Sequence, residues 1–219
     1  ASGMVAGARL FENTFHLPYS TALWLGAIAT IAYVFIGGFL AVSWTDTIQA
    51  SLMCIALIVT PVAVMIDLGG ASAATSQVAA ITPDMLSMMN GQTTIGIISL
   101  LAWGLGYCGQ PHILVRFMAT RSIRVIPNAR RISITWMIFC LAGSVAAGFF
   151  GAAFFAGHPE LAGAVTENHE RVFIELAKAL FNPWIAGVLM SAILAAVMST
   201  LSCQLLVCSS TLTEDFYRR

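Results

Sequence analysis

Five stretches of this chain are each long enough to cross a lipid bilayer as a helix. They cover residues 20–43, 48–66, 93–116, 132–156 and 183–212, against a requirement of about 20 mostly apolar residues for one crossing. The chain is 58% hydrophobic and 9% charged, where a soluble domain carries about 25% charged residues, so it reads as a multi-span all-α membrane protein. Its formal net charge is zero, which leaves no global field to attract nucleic acid or an acidic polymer.

Residues 1–11, ASGMVAGARLF, read as the end of a further span already under way, so the chain is expected to be an internal fragment of a longer protein. Trp44-Thr45-Asp46-Thr47 lies between the first two full spans and predicts a short turn joining antiparallel neighbours. Residues 67–92 are too polar and glycine-rich to span, and TPDML within them predicts a short surface helix with Thr82 as N-cap and Pro83 at its first position. Residues 168–181, NHERVFIELAKALF, place Val172, Phe173, Leu176, Ala179 and Leu180 at helical spacing with charges opposite. This pattern predicts an amphipathic helix on the outer surface, whose apolar face suits docking of neighbouring loops at least as well as a gate.

Orientation follows from the basic residues. Arg116, Arg121, Arg124, Arg130 and Arg131 crowd the connection after the third span, and Arg218 and Arg219 close the chain. Short positive loops stay cytoplasmic, which places residues 67–92 and 157–180 outside; an arginine cluster also suits anionic lipid headgroups. The five cysteines, Cys54, Cys108, Cys140, Cys203 and Cys208, sit in apolar segments without CxxC spacing and read as small buried hydrophobes.

The third span breaks its own pattern. LLAWGLGYCGQPHILVRF, residues 100–117, gathers Gly104, Gly106, Gly109 and Pro111. Irregular backbone at membrane depth persists only where it is buried in protein or lines a wet cavity, and discontinuous helices of secondary transporters hold solutes and ions on the exposed N–H and C=O groups of such breaks. Trp103, Tyr107 and Pro111 recur every four residues along the break; their aromatic faces and polar tips suit a small amphiphilic solute, while the same spacing suits a packing stripe on a kinked helix.

The last span concentrates hydroxyls: Ser191, Ser199, Thr200, Ser202, Ser209, Ser210, Thr211 and Thr213. A helical hydroxyl leans on the carbonyl four residues back, so Thr200 is expected beside the Ala196 carbonyl and Ser199 beside that of Ala195. Such neutral oxygens are the ligand type a hard cation prefers, and they equally permit close helix packing and interhelical hydrogen bonds. Asp67 and Asp84 fall at predicted external ends, His158, Glu160, Glu167 and His169 match no strong metal spacing, and HExxH, GxSxG and phosphate-loop motifs are absent from the sequence. An enzyme reading has little support.

AWGLGYCGQPHILVRFMA with the basic loop that follows, and ILAAVMSTLSCQLLVCSSTLTEDFYR, resemble the sodium/solute symporter family. The resemblance runs over the whole chain, including SGMVAGARLFE and GGASAATSQVAAITPDMLS. It implies a fragment of the leucine-transporter-type inverted-repeat fold: a single transmembrane transporter segment over residues 1–219, from the end of core helix three through core helix eight. The broken span then corresponds to core helix six and the last to core helix eight. By this resemblance Trp103, Tyr107 and Pro111 match substrate-binding positions, and Ala196, Ser199 and Thr200 match sodium ligands. The implied activity is sodium-coupled uptake of L-proline across the bacterial inner membrane, with sodium as coupling ion and no cofactor. The first core helix, which in the family completes both sites, is not in this chain, so the chain alone is not expected to transport. The alternative is a truncated, non-transporting membrane scaffold or sensor.

Overall fold

The computed structural model describes residues 2–15, 17–81, 83–87 and 91–218. Among the described residues the regular structure is entirely helical: α1 (Ser2–Phe15), α2 (Tyr19–Asp67), α3 (Ala71–Ile81), α4 (Thr94–Tyr107), α5 (Pro111–Met118), α6 (Ile126–Gly157), α7 (Gly163–Glu167), α8 (Val172–Leu180) and α9 (Pro183–Thr211), which ends in a π-helical turn, Leu212–Tyr217. Three stretches, Tyr19–Asp67, Ile123–Gly157 and Pro183–Tyr217, are long and apolar enough to cross a membrane, and Thr94–Tyr107 is a shorter apolar helix.

The first two predicted spans are not divided at Trp44–Thr47. That stretch is helical, and the interruption of α2 lies at Gly38, with φ 53° and ψ −150°. The physical reason is local. Gly38 adopts a positive φ that a side chain would resist, whereas nothing in residues 44–47 demands a turn. The hydroxyls there are satisfied inside the helix: Ser43, Thr45, Thr47 and Ser51 donate to the carbonyls of Phe39, Ala41, Ser43 and Thr47 at 2.8–3.0 Å. Polar residues therefore continue the helix by back-bonding. At 1.5 Å per residue, 49 unbroken residues would extend about 74 Å, more than twice the roughly 30 Å hydrocarbon core; the break at Gly38 divides that length.

The chain forms two compact units. The first comprises Ala1–Met53, Tyr107–Ile123 and Ser191–Arg219; the second comprises Cys54–Gly106 and Arg124–Met190. The second unit has an apolar core of Val64, Phe154, Phe155, Val165 and Leu176. Phe154 and Phe155 meet edge-to-face with centroids 5.3 Å apart, and His158 stacks on Phe154 with its Nδ1 2.9 Å from the Phe154 carbonyl.

The segment predicted as an outer-surface helix docks in this core. Residues His169–Arg171 form a 3-10 turn in which the Asn168 side chain accepts from the Glu170 N–H, and α8 follows with Leu176 and Ala177 fully buried. Its approach to α6 depends on Gly151: a Cβ there would lie 2.8 Å from Val172 Cγ1 and 3.1 Å from Leu176 Cδ1. On the opposite face Glu175 pairs with Arg171 at 3.1 Å and Lys178 at 3.4 Å. The apolar face of this helix is therefore a docking face.

Residues 67–92, expected as a loop, also hold the helix α3, which packs on α6 through the buried Ala74 and Val78. Pro83–Leu86 is a 3-10 turn, while Thr82, the predicted cap, lies outside the described residues. The basic connection is shorter than expected, because α6 begins at Ile126 and includes Arg130 and Arg131, while Arg116 belongs to α5.

Candidate functional site

The interruption expected between Trp103 and Pro111 is present. Helix α4 ends at Tyr107 and α5 restarts at Pro111. Gln110 between them is extended, with φ −80° and ψ 116°; its N–H makes only a long 3.4 Å bond to the Tyr107 carbonyl, and its own carbonyl accepts from the Ile113 and Leu114 N–H groups at 3.0 and 3.1 Å. Proline at the first position of α5 loses nothing, since that N–H would have no helical partner, and its fixed φ starts the new helix. Trp103 and Tyr107 lie one turn apart at the end of α4 and are 71% and 44% exposed; Pro111 is also exposed. Trp103 belongs to the second compact unit, and Tyr107 and Pro111 to the first.

The three candidate cation ligands are gathered on one carbonyl. Ser199 Oγ and Thr200 Oγ1 donate to the Ala196 carbonyl at 3.0 and 3.1 Å. Ser199 thus leans back three residues, not the expected four to Ala195. Because both hydroxyls donate to one acceptor, the lone pairs of both oxygens face away from it and stay open to a further partner. The next hydroxyl, of the fully buried Ser202, donates to the Ser199 carbonyl at 3.0 Å. This arrangement can contribute oxygen ligands to a hard monovalent ion, with charge compensation supplied from other elements.

A cavity of about 270 Å³ in the first unit contains none of these residues. It is bounded by α1, the start of α2, and Leu194, Val197, Met198 and Leu201 of α9. Among the described residues that line it the one side-chain hydroxyl, of Thr30, already donates to the Gly26 carbonyl at 2.8 Å.

Sequence reasoning missed Asp46. Placed in a supposed turn, it is instead inside α2 and 8% exposed. Its Oδ2 accepts from Arg116 Nη2 of α5 and from the Cys203 thiol of α9 at 3.1 Å, while Arg116 Nη2 also reaches Cys203 Sγ at 2.6 Å. Three elements of the first unit thus meet on one carboxylate. The available signal was that Asp46 is the only acidic residue between Glu12 and Asp67, and a buried carboxylate requires a partner.

Comparison with known proteins covers the whole length. The profile of the Sodium:solute symporter family matches residues 1–219. A sodium/proline symporter of Escherichia coli (strain K12) is 66% identical over 218 residues, covering 100% of this chain and 43% of that protein. A sodium/proline symporter of Haemophilus influenzae is 60% identical over 222 residues, covering 100% and 44%. A high-affinity proline transporter of Bacillus subtilis (strain 168) is 47% identical over 218 residues, covering 100% and 45%. The chain therefore spans less than half the length of these relatives. No solved structure matches it.

Proposed function

Because this chain belongs to the sodium:solute symporter family, we propose that it forms part of a secondary carrier that couples inward sodium movement to uptake of L-proline across the cytoplasmic membrane. The observation that carries the reading is the pair of hydroxyls converging on the Ala196 carbonyl. In this reading sodium is held by Ala196, Ser199 and Thr200 together with groups from further elements of the carrier. Proline binds at the break, where Trp103 and Tyr107 offer ring faces to the pyrrolidine and Pro111 opens the backbone of α5. Coupling arises because sodium stabilises the conformer in which the solute site is formed, and each ligand then raises the affinity for the other by the same factor. The connection between α5 and α6, with Arg121 and Arg124 and the arginines of the adjoining helix ends, lies on the cytoplasmic side.

The test places this chain in the corresponding segment of the Escherichia coli relative and measures labelled-proline uptake against sodium in proteoliposomes. Thr200→Val keeps the branched shape and removes the oxygen, and Ser199→Ala removes the other. A purely structural hydroxyl is worth about 0.6 kcal/mol in a membrane protein, under threefold in any equilibrium, so a ligand role predicts a rise in the sodium half-saturation well above that. Trp103→Ala and Tyr107→Ala should instead raise the proline half-saturation. Unchanged sodium half-saturation in both hydroxyl variants would overturn the cation assignment. Absence of any uptake by the well-expressed hybrid would favour the non-transporting scaffold.

A further inference from the structure

Resting on that reading, the structure assigns Asp46, Arg116 and Cys203 to one positioning unit, a charged clamp that fixes the half-helix α5 against α2 and the cation-bearing helix α9. The geometry is specific. A single guanidinium nitrogen, Arg116 Nη2, donates to both Asp46 Oδ2 and Cys203 Sγ, and the thiol donates in turn to the same carboxylate oxygen, closing a three-membered ring of contacts. The partners are 70 and 157 residues from Asp46 in sequence, so the ring joins separate elements and not one helix to itself.

Its position matters for the proposed chemistry. Cys203 lies one helical turn from Ser199 on α9, on the same face. Arg116 lies in the last turn of the short helix that Pro111 begins. The clamp therefore ties the element starting at the solute break to the element carrying the candidate ion ligands. Arg116 also sits where a cation is favoured by the helix dipole, which helps hold its charge beside the carboxylate.

The two charges are not equivalent. The Asp46 side chain is 10% exposed and that of Arg116 is 51% exposed, so removing the arginine strands a buried carboxylate, whereas removing the carboxylate leaves a cation that still reaches solvent. Within the ring, Arg116→Gln should be the most disruptive single change, and adding Asp46→Asn to it should repair part of the damage, because a neutral pair replaces an unpaired buried charge.

The experiment reads the clamp directly, without transport. In the full-length carrier with every other cysteine, Cys54, Cys108, Cys140 and Cys208 included, replaced by serine, the alkylation rate of Cys203 by a membrane-permeant maleimide reports how tightly the ring is closed. We expect Arg116→Gln to raise the rate by roughly tenfold or more and the double variant to fall back towards the parent. Equal rates in Arg116→Gln and the parent, or a double variant as fast as Arg116→Gln, would overturn the clamp. If Arg116→Gln fails to accumulate, Arg116→Lys keeps the charge but loses the planar fork; an intermediate rate supports the clamp and an unchanged one overturns it. Uptake by the same proteins separates the two ideas. A ring that opens as expected in a protein with no sodium-dependent uptake would retain the clamp and overturn the transport reading. With uptake present, positioning predicts that Arg116→Gln raises both the sodium and the proline half-saturation and that the double variant lowers both again; no such joint recovery would sink the link between clamp and sites.

Discussion

Leu176 and Asp46 are both buried, yet the contacts around them hold helices together by opposite means. Around Leu176, α8 turns Glu175 and Lys178 towards Arg171 of the preceding turn and presents an inner face that fills the space left by Gly151. Such a helix gains from removing apolar surface from water, about 1.5–3 kcal/mol for a fully buried leucine, and the contact tolerates any neighbour of suitable shape. Around Asp46 the surrounding spans are already apolar, and in lipid the hydrophobic effect gives little reason for one such helix to prefer another. There the preference comes from a carboxylate that must find its donors, which makes the contact specific and costly to break on one side only. Packing sets how closely elements approach, and the charge sets which elements meet.

That contrast can be broken at three places. The largest expected effect is Leu176→Ala, which removes a fully buried side chain and should lower stability by about 2–5 kcal/mol. It is measured as the loss of thermal stability of the detergent-purified carrier, and a change near zero would mean that α8 is only loosely attached. Gly151→Ala should follow at about 1–3 kcal/mol, since its methyl group would meet Val172 and Leu176. Pairing it with Val172→Ala should recover part of the loss, and failure to do so would place the strain elsewhere. Cys203→Ala should cost least, about 1 kcal/mol, because the carboxylate keeps its guanidinium and loses one weak donor. A Cys203→Ala loss as large as that of Leu176→Ala would erase the distinction between the two regions.

Where the sequence succeeded, the cause lies within a few residues of the effect. Pro111 has no N–H to donate, so the ladder had to fail before it, and it does so at Tyr107. Ser199 and Thr200 bond to their own helix, so their meeting at Ala196 was legible up to the choice between three and four residues back. The misreading of Trp44–Thr47 came from treating polar residues as a turn when each hydroxyl had a carbonyl waiting one turn earlier. Gly37-Gly38 was the better local cue, since glycine is the residue that accepts the positive φ found there.

The amino-acid sequence by itself determined that this protein is helical and built for a membrane, that one helix is broken between Trp103 and Pro111, and that a patch of hydroxyls lies on α9. Those outcomes depend on chain chemistry within one or two helical turns. Only the tertiary structure decided that Asp46 belongs to a junction with Arg116 and Cys203 and that α8 folds onto α6. A carboxylate can be satisfied by any donor that reaches it and an apolar face by any surface that fits it, so the partner is chosen by how distant segments pack.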